Sequence, residues 1–232
     1  MVAIVAVFSL DPIAQNPDYH NFADQRHLVN IAYFYNVLSN LPLIVIGMMG
    51  LLRRPVGGLE ALRRLYLTFF AGVFLTGLGS MYYHLEPNNQ TLLWDRLPMT
   101  VAFMAFFCVI VGEYRSVRLA RRLCAPLLIV GLVSVVYWYV TELHGQGDLR
   151  AYALVQFLPL VLIPVILWQS ESTLNGDTYR WGVVGAYAIA KLMEVSDAEI
   201  YRVSGLLSGH SLKHLVAAGG VLVFYWGLRK RH

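Results

Sequence analysis

Long stretches of the chain carry no Asp, Glu, Lys or Arg, and this limits its fold more than anything else in the sequence. Uncharged runs cover residues 28–52, 65–85, 97–112, 123–141 and 151–168, with short charged segments between them. A helix crossing the hydrocarbon core of a bilayer needs about 20 mostly apolar residues, so these runs read as membrane spans. Two further apolar stretches, 181–201 and 210–228, are interrupted by charge. Composition agrees: 57% of the 232 residues are hydrophobic and 14% are charged, against about 25% charged in an average soluble domain. Too few polar groups remain to cover a soluble surface. A soluble enzyme, a disordered chain and a disulfide-stapled secreted domain are excluded. The expected fold is all-α: one seven-helix transmembrane domain over residues 1–232, with 1–27 as an outer interfacial segment. That segment opens on an apolar stretch with no basic residue before it, so it does not read as a cleaved signal peptide. Cys108 and Cys124 lie in or beside apolar runs, and no disulfide is expected between them.

The net charge of +4 is read as topology rather than as nucleic-acid binding, because Lys and Arg gather on the cytoplasmic side of membrane proteins. Arg53, Arg54, Arg63 and Arg64 follow the first run, and Arg115, Arg118, Arg121 and Arg122 follow the third. Arg180 precedes the sixth, and Arg229, Lys230 and Arg231 follow the seventh. With seven spans these twelve of the eighteen basic residues fall on one side. The C-terminus is therefore expected in the cytoplasm and the N-terminus outside. A bacterial inner membrane with the site facing the periplasm fits this layout, and an organellar membrane with a lumenal site reads the same way.

Ionisable groups inside a bilayer are costly and mark functional sites by default. Ser80 and His84 stand four residues apart near the outer end of the second span, and so do His210 and His214 at the start of the seventh. Residues at i and i+4 share one helix face. Asp95 opens the third span at the same depth. Three histidines with one open position form a catalytic zinc site, in which the metal lowers the pKa of bound water and polarises a carbonyl. Asp95 is then the base for that water, and Ser80 a donor to the developing oxyanion. Each residue taken alone has a plainer reading: an interfacial histidine, a carboxylate at a helix N-terminus, a small packing residue. The constellation carries the reading.

At these positions the chain resembles the alkaline ceramidases and the wider superfamily of seven-span hydrolases and receptors. That group has Ser-x3-His in span two, an Asp opening span three and His-x3-His in span seven. The stretch Asn36-Val37-Leu38-Ser39-Asn40-Leu41 is similar to the family's Asn-x-x-Ser-Asn-Leu segment. The resemblance implies that His84, His210 and His214 bind zinc. It also implies that Ser80 and Asp95 assist hydrolysis of a lipid amide such as ceramide. The chain departs from the eukaryotic members at their acidic, calcium-binding N-terminal segment, and it has Tyr33 where they place a glutamate. Asp18, Asn21 and Asp24 offer a thin oxygen set for calcium; the alternative is a polar lid in which Asp24 pairs with Arg26.

Lys191, Glu194 and Asp197 form a charged stripe on the sixth span. Lys191 is expected to pair with Glu194 or Glu113. Asp197 is a candidate to hold a ligand histidine by its second ring nitrogen, and the stripe has an equal reading as ion pairs that lock helices. A same-fold receptor, a lipid esterase or phospholipase, and a proton-coupled carrier using the stripe stay open at this point. The carrier lacks the internal repeats expected of such folds.

Overall fold

The computed structural model describes residues 2–52, 60–170 and 177–230. The Arg53-Arg54-Pro55 stop, the Gly57-Gly58 break and Arg231 lie outside these residues. The described residues form α-helices and two short 3-10 helices, with no β-strand among them. The N-terminal part holds α1 (Val2–Phe8) and a 3-10 turn at Pro17–His20, followed by α2 (Phe34–Leu38) and α3 (Leu41–Leu52). The long helices are α4 (Arg63–Leu85), α5 (Asn89–Tyr114), α6 (Val117–Leu143) and α7 (Arg150–Gln169). The chain ends in α8 (Asp177–Val195), α9 (Asp197–Ser204) and α10 (Gly209–Lys230). They close into a ring in the order α3, α4, α5, α6, α7, α8, α10, with α10 packed back against α3. This closure brings residues near 40 and 210 together.

Among the described residues, six helical segments are long and apolar enough to cross a membrane: Phe34–Leu52, Glu60–Leu85, Asn89–Tyr114, Val117–Leu143, Arg150–Gln169 and Gly209–Lys230. The sixth expected span exists as a helix, α8, but is not among them. Arg180, Lys191 and Glu194 dilute its apolar character, and the helix breaks at Ser196 before α9. Arg180 is not a surface charge that sets topology. It lies in the first turns of α8, with no exposed side-chain surface, and its Nη2 is 2.7 Å from Glu113 Oε2. The Tyr66 hydroxyl donates to Glu113 Oε1 at 2.6 Å, which ties α4, α5 and α8 together.

Two helix starts differ from the sequence expectation. The first span begins at Phe34 instead of 28, because Val29, Asn30 and Tyr33 take left-handed backbone angles that a helix cannot include. The third begins at Asn89 instead of 97. Asn88 caps it through its side chain, and the Thr91 side chain accepts from the Asn88 backbone N–H in return. Asp95 therefore sits in the second turn of α5 rather than ahead of it.

Two prolines shape the site. Pro42 has no N–H to give the carbonyl four residues back, so the helix is broken at Ser39-Asn40 between α2 and α3. Pro98 likewise leaves the Trp94 carbonyl without its helical donor. That carbonyl lies against Gly79 of α4, where a Cβ would overlap it. The absence of a side chain at Gly79 thus sets how closely α4 and α5 approach beside Ser80 and Asp95. Gly79→Val is expected to lower stability by about 1–3 kcal/mol through overpacking. Thermal unfolding in detergent checks this against Gly185→Ala, whose Cβ would meet nothing within 4 Å.

Candidate metal centre and its chamber

The site lies between two hydrophobic clusters. One contains Phe69, Phe70, Phe106 and Phe224 of α4, α5 and α10. The other, at the opposite end, contains Phe22, Tyr83, Trp138 and Tyr152. Between them α4 presents Ser80 and His84, α5 presents Asp95, and α10 presents His210 and His214.

The three imidazoles form a triangle, with ring centroids 4.8 Å (His84–His210), 5.1 Å (His84–His214) and 5.0 Å (His210–His214) apart. All three residues are buried. One ligand atom from each lies within 4.8 Å of the others, a spacing that can hold a metal ion. His84 Nε2 and His210 Nε2 are 3.2 Å apart. Two nitrogens bound at about 2.0–2.1 Å to one tetrahedral ion would be about 3.3 Å apart, so the donor set fits such an ion. Ser80 and Asp95 border the same cavity, and Asp95 Oδ1 is buried with no hydrogen-bond partner among the described residues.

His214 is oriented from behind. Its Nδ1 is 2.8 Å from Ser39 Oγ and 3.2 Å from Asn40 Nδ2, which leaves Nε2 for the centre of the triangle. Ser39 Oγ also donates to the Asn36 carbonyl at 3.0 Å. The Asn36 side chain in turn accepts from Ser211 Oγ at 2.7 Å. The break caused by Pro42 places this network opposite α10. Sequence reasoning missed its role, although a polar Asn-x-x-Ser-Asn run inside an apolar span is itself a signal of an intramembrane site.

Asp197 does not hold a histidine ring, contrary to expectation. Its Oδ1 accepts from the His210 backbone N–H at 2.7 Å and its Oδ2 from the Ala23 backbone N–H at 2.9 Å. The break at Ser196 turns Asp197 toward the start of α10, where an unpaired backbone N–H needs an acceptor. Lys191 pairs with Glu194 (2.5 Å), as expected, and Lys213 pairs with the other oxygen of the same carboxylate (2.5 Å). The stripe thus locks α8 to α10.

The N-terminal segment covers this end of the bundle. The Phe22 ring lies 4.2 Å from that of His210 and 4.7 Å from that of His84. Asp24 is buried and pairs with Arg26 at 2.6 Å, in keeping with the polar-lid alternative, and the exposed Asp18 accepts from Asn21. His20 bonds the Tyr83 hydroxyl at 2.8 Å and Asn89 Oδ1 at 3.0 Å, and burial holds its pKa below the ordinary imidazole value.

A cavity of about 300 Å³ opens beside the triangle and is bordered by Ser80, Asp95 and His214. It shares Leu43, Thr76, Met99, Gln156, Tyr187 and Ala217 with an apolar cavity of about 170 Å³ that runs deeper between the helices. Polar chemistry thus opens directly onto an apolar channel.

The sequence model described as Ceramidase matches residues 23–228, nearly the whole chain. The chain belongs to the ceramidase family. Comparison with curated proteins finds no match. Membership of the ceramidase family implies a hydrolase acting on amide bonds and a lipid substrate, in keeping with an integral multi-pass membrane protein. The matched region includes every residue of the triangle together with Ser80 and Asp95.

Proposed function

We propose that this member of the ceramidase family is a zinc-dependent intramembrane hydrolase of a lipid amide such as ceramide. The observation that carries the reading is the convergence of three buried histidines on one point, beside an unsatisfied carboxylate oxygen and an apolar channel. His84, His210 and His214 would hold the ion, which when bound supplies a Lewis acid and a water of lowered pKa. The His214 Nδ1–H donates to Ser39, so Nε2 carries the free lone pair. Asp95 accepts the proton of the attacking water and returns it to the departing amine. Ser80 donates to the oxygen that gains charge at the scissile carbonyl. The acyl chain lies in the apolar channel.

In this reading α8, with α9, completes a seven-span bundle. Its charges are tolerable in a bilayer because Glu113 and Glu194 face them. The basic clusters put the C-terminus in the cytoplasm and the site on the outer side, in a bacterial inner membrane the periplasmic side.

Purified protein is expected to carry zinc, as measured by elemental mass spectrometry, and to release fatty acid from a detergent-dispersed lipid amide. Asp95→Asn should keep the metal and lose about 10²–10⁴-fold in kcat. Full turnover by folded, metal-free protein would sink the reading.

A further inference from the structure

The chamber beside the histidines holds more positive than negative groups. Its walls carry Arg96, Lys191 and Lys213 against Asp95 and Glu194. Both lysines share Glu194, one on each carboxylate oxygen. Asp95 faces Ser80. Arg96 is left with no carboxylate within ion-pair distance among the described residues.

Arg96 is also buried, with only 6% of its surface exposed. Its guanidinium stacks over the rings of Trp138 (4.2 Å), Tyr152 (4.8 Å) and Tyr19 (5.6 Å). Nη2 donates to Gln15 Oε1 at 2.7 Å, and the Tyr19 hydroxyl donates to Glu194 Oε1 at 3.4 Å. Nη1 is buried and has no hydrogen-bond partner among the described residues. A buried cation without a counter-ion is costly, and a charged donor left unmade is costlier still. Successive residues on a helix point about 100° apart. Asp95 therefore faces α4 while Arg96 faces α6 and α7, so an anion at Arg96 would not displace the catalytic carboxylate.

We propose that Arg96 binds an acidic group on the amine half of the substrate, so that the preferred lipid amide is an N-acyl amino acid or similar acid-headed amide. This inference rests on the hydrolase reading and specifies the substrate class of that site. The acyl chain fills the apolar channel, the amide carbonyl meets Ser80 and Asp95, and the acidic group reaches Nη1. Water adds its oxygen to the acyl carbon and the C–N bond breaks. The amine nitrogen takes a proton, so an N-acyl amino acid plus water gives a fatty acid plus the free amino acid. Lys191 and Lys213 add a net positive field, but Glu194 already occupies them. Arg96 is thus the specificity-determining residue.

The test compares N-lauroylglycine with N-lauroylethanolamide, which share chain length and differ in the acid. Fatty-acid release and thermal stabilisation are read on the same zinc-loaded, detergent-solubilised wild type. A single charge-assisted contact predicts about a tenfold preference for the acid, expressed in KM for turnover and in affinity for binding. Arg96→Gln should erase the preference, raising KM for the acid about tenfold relative to that for the neutral amide, and Arg96→Lys should retain part of it. Equal or better handling of the neutral amide by wild type would overturn the proposal. So would equal losses on both amides in Arg96→Gln, which would mark Arg96 as a structural cage residue. Tight binding of the acid without cleavage of either amide would uphold the anion site and defeat the hydrolase reading. Cleavage of both amides without preference would do the reverse.

Discussion

His214→Ala is expected to leave two of the three candidate ligands, remove the metal and reduce amide hydrolysis to background. The effect should be this large because His214 is the ligand most firmly held: Ser39 accepts from its Nδ1–H. A ligand ring held from behind loses little freedom when it binds, and removing such support costs about 10–100-fold in metal affinity. Ser39→Ala should therefore give an intermediate result. Metal is retained at saturating zinc but lost to a chelator at about 10–100-fold lower concentration. Elemental mass spectrometry across a chelator titration separates the variants, and circular dichroism confirms that both keep their helices. If His214→Ala retained its full metal content, the triangle would not be the metal site.

What was legible in the sequence was whatever a helix converts from spacing into direction. His210 and His214, like Ser80 and His84, are four apart and so had to share a face; the triangle follows once α4 and α10 are neighbours. Partners that meet across the ring were not legible. Ser39 lies 175 residues from His214, and nothing in the sequence marks that α3 returns beside α10. The sequence alone makes Asp197 a candidate support for a histidine ring, but the helix break at Ser196 aims it at the His210 backbone. Arg180 was read as a loop charge because an arginine in the first turn of a helix has the same local sequence whether it faces water or a buried Glu113. Five of the six clearly apolar segments were legible from the lack of charge alone, whereas α8 conceals its place in the ring because its polar groups are satisfied internally.

That internal satisfaction predicts where the fold is most vulnerable. Glu113 and Arg180 are paired with no side-chain exposure, and Tyr66 donates to the other oxygen of the carboxylate. Asp95 and Glu113 are 18 residues apart on one helix, about 27 Å at 1.5 Å per residue, so the pair can be cut without touching the metal centre. Glu113→Ala removes the carboxylate that Arg180 pairs with and is expected to cost about 3–5 kcal/mol, the penalty for breaking a buried ion pair from one side. This is a large share of the about 5–15 kcal/mol that holds a typical protein folded. The double variant Glu113→Leu/Arg180→Leu should recover most of the loss, because removing both charges removes the desolvation penalty along with the attraction. Thermal unfolding in detergent reads the stability, and metal content at low temperature reads the site. A large drop for the single variant, recovery in the double and zinc retained in both would mean that the pair fixes how α8 joins the bundle and has no part in the chemistry. An equally unstable double variant would instead assign the pair a positive contribution, worth more than apolar packing at the same place.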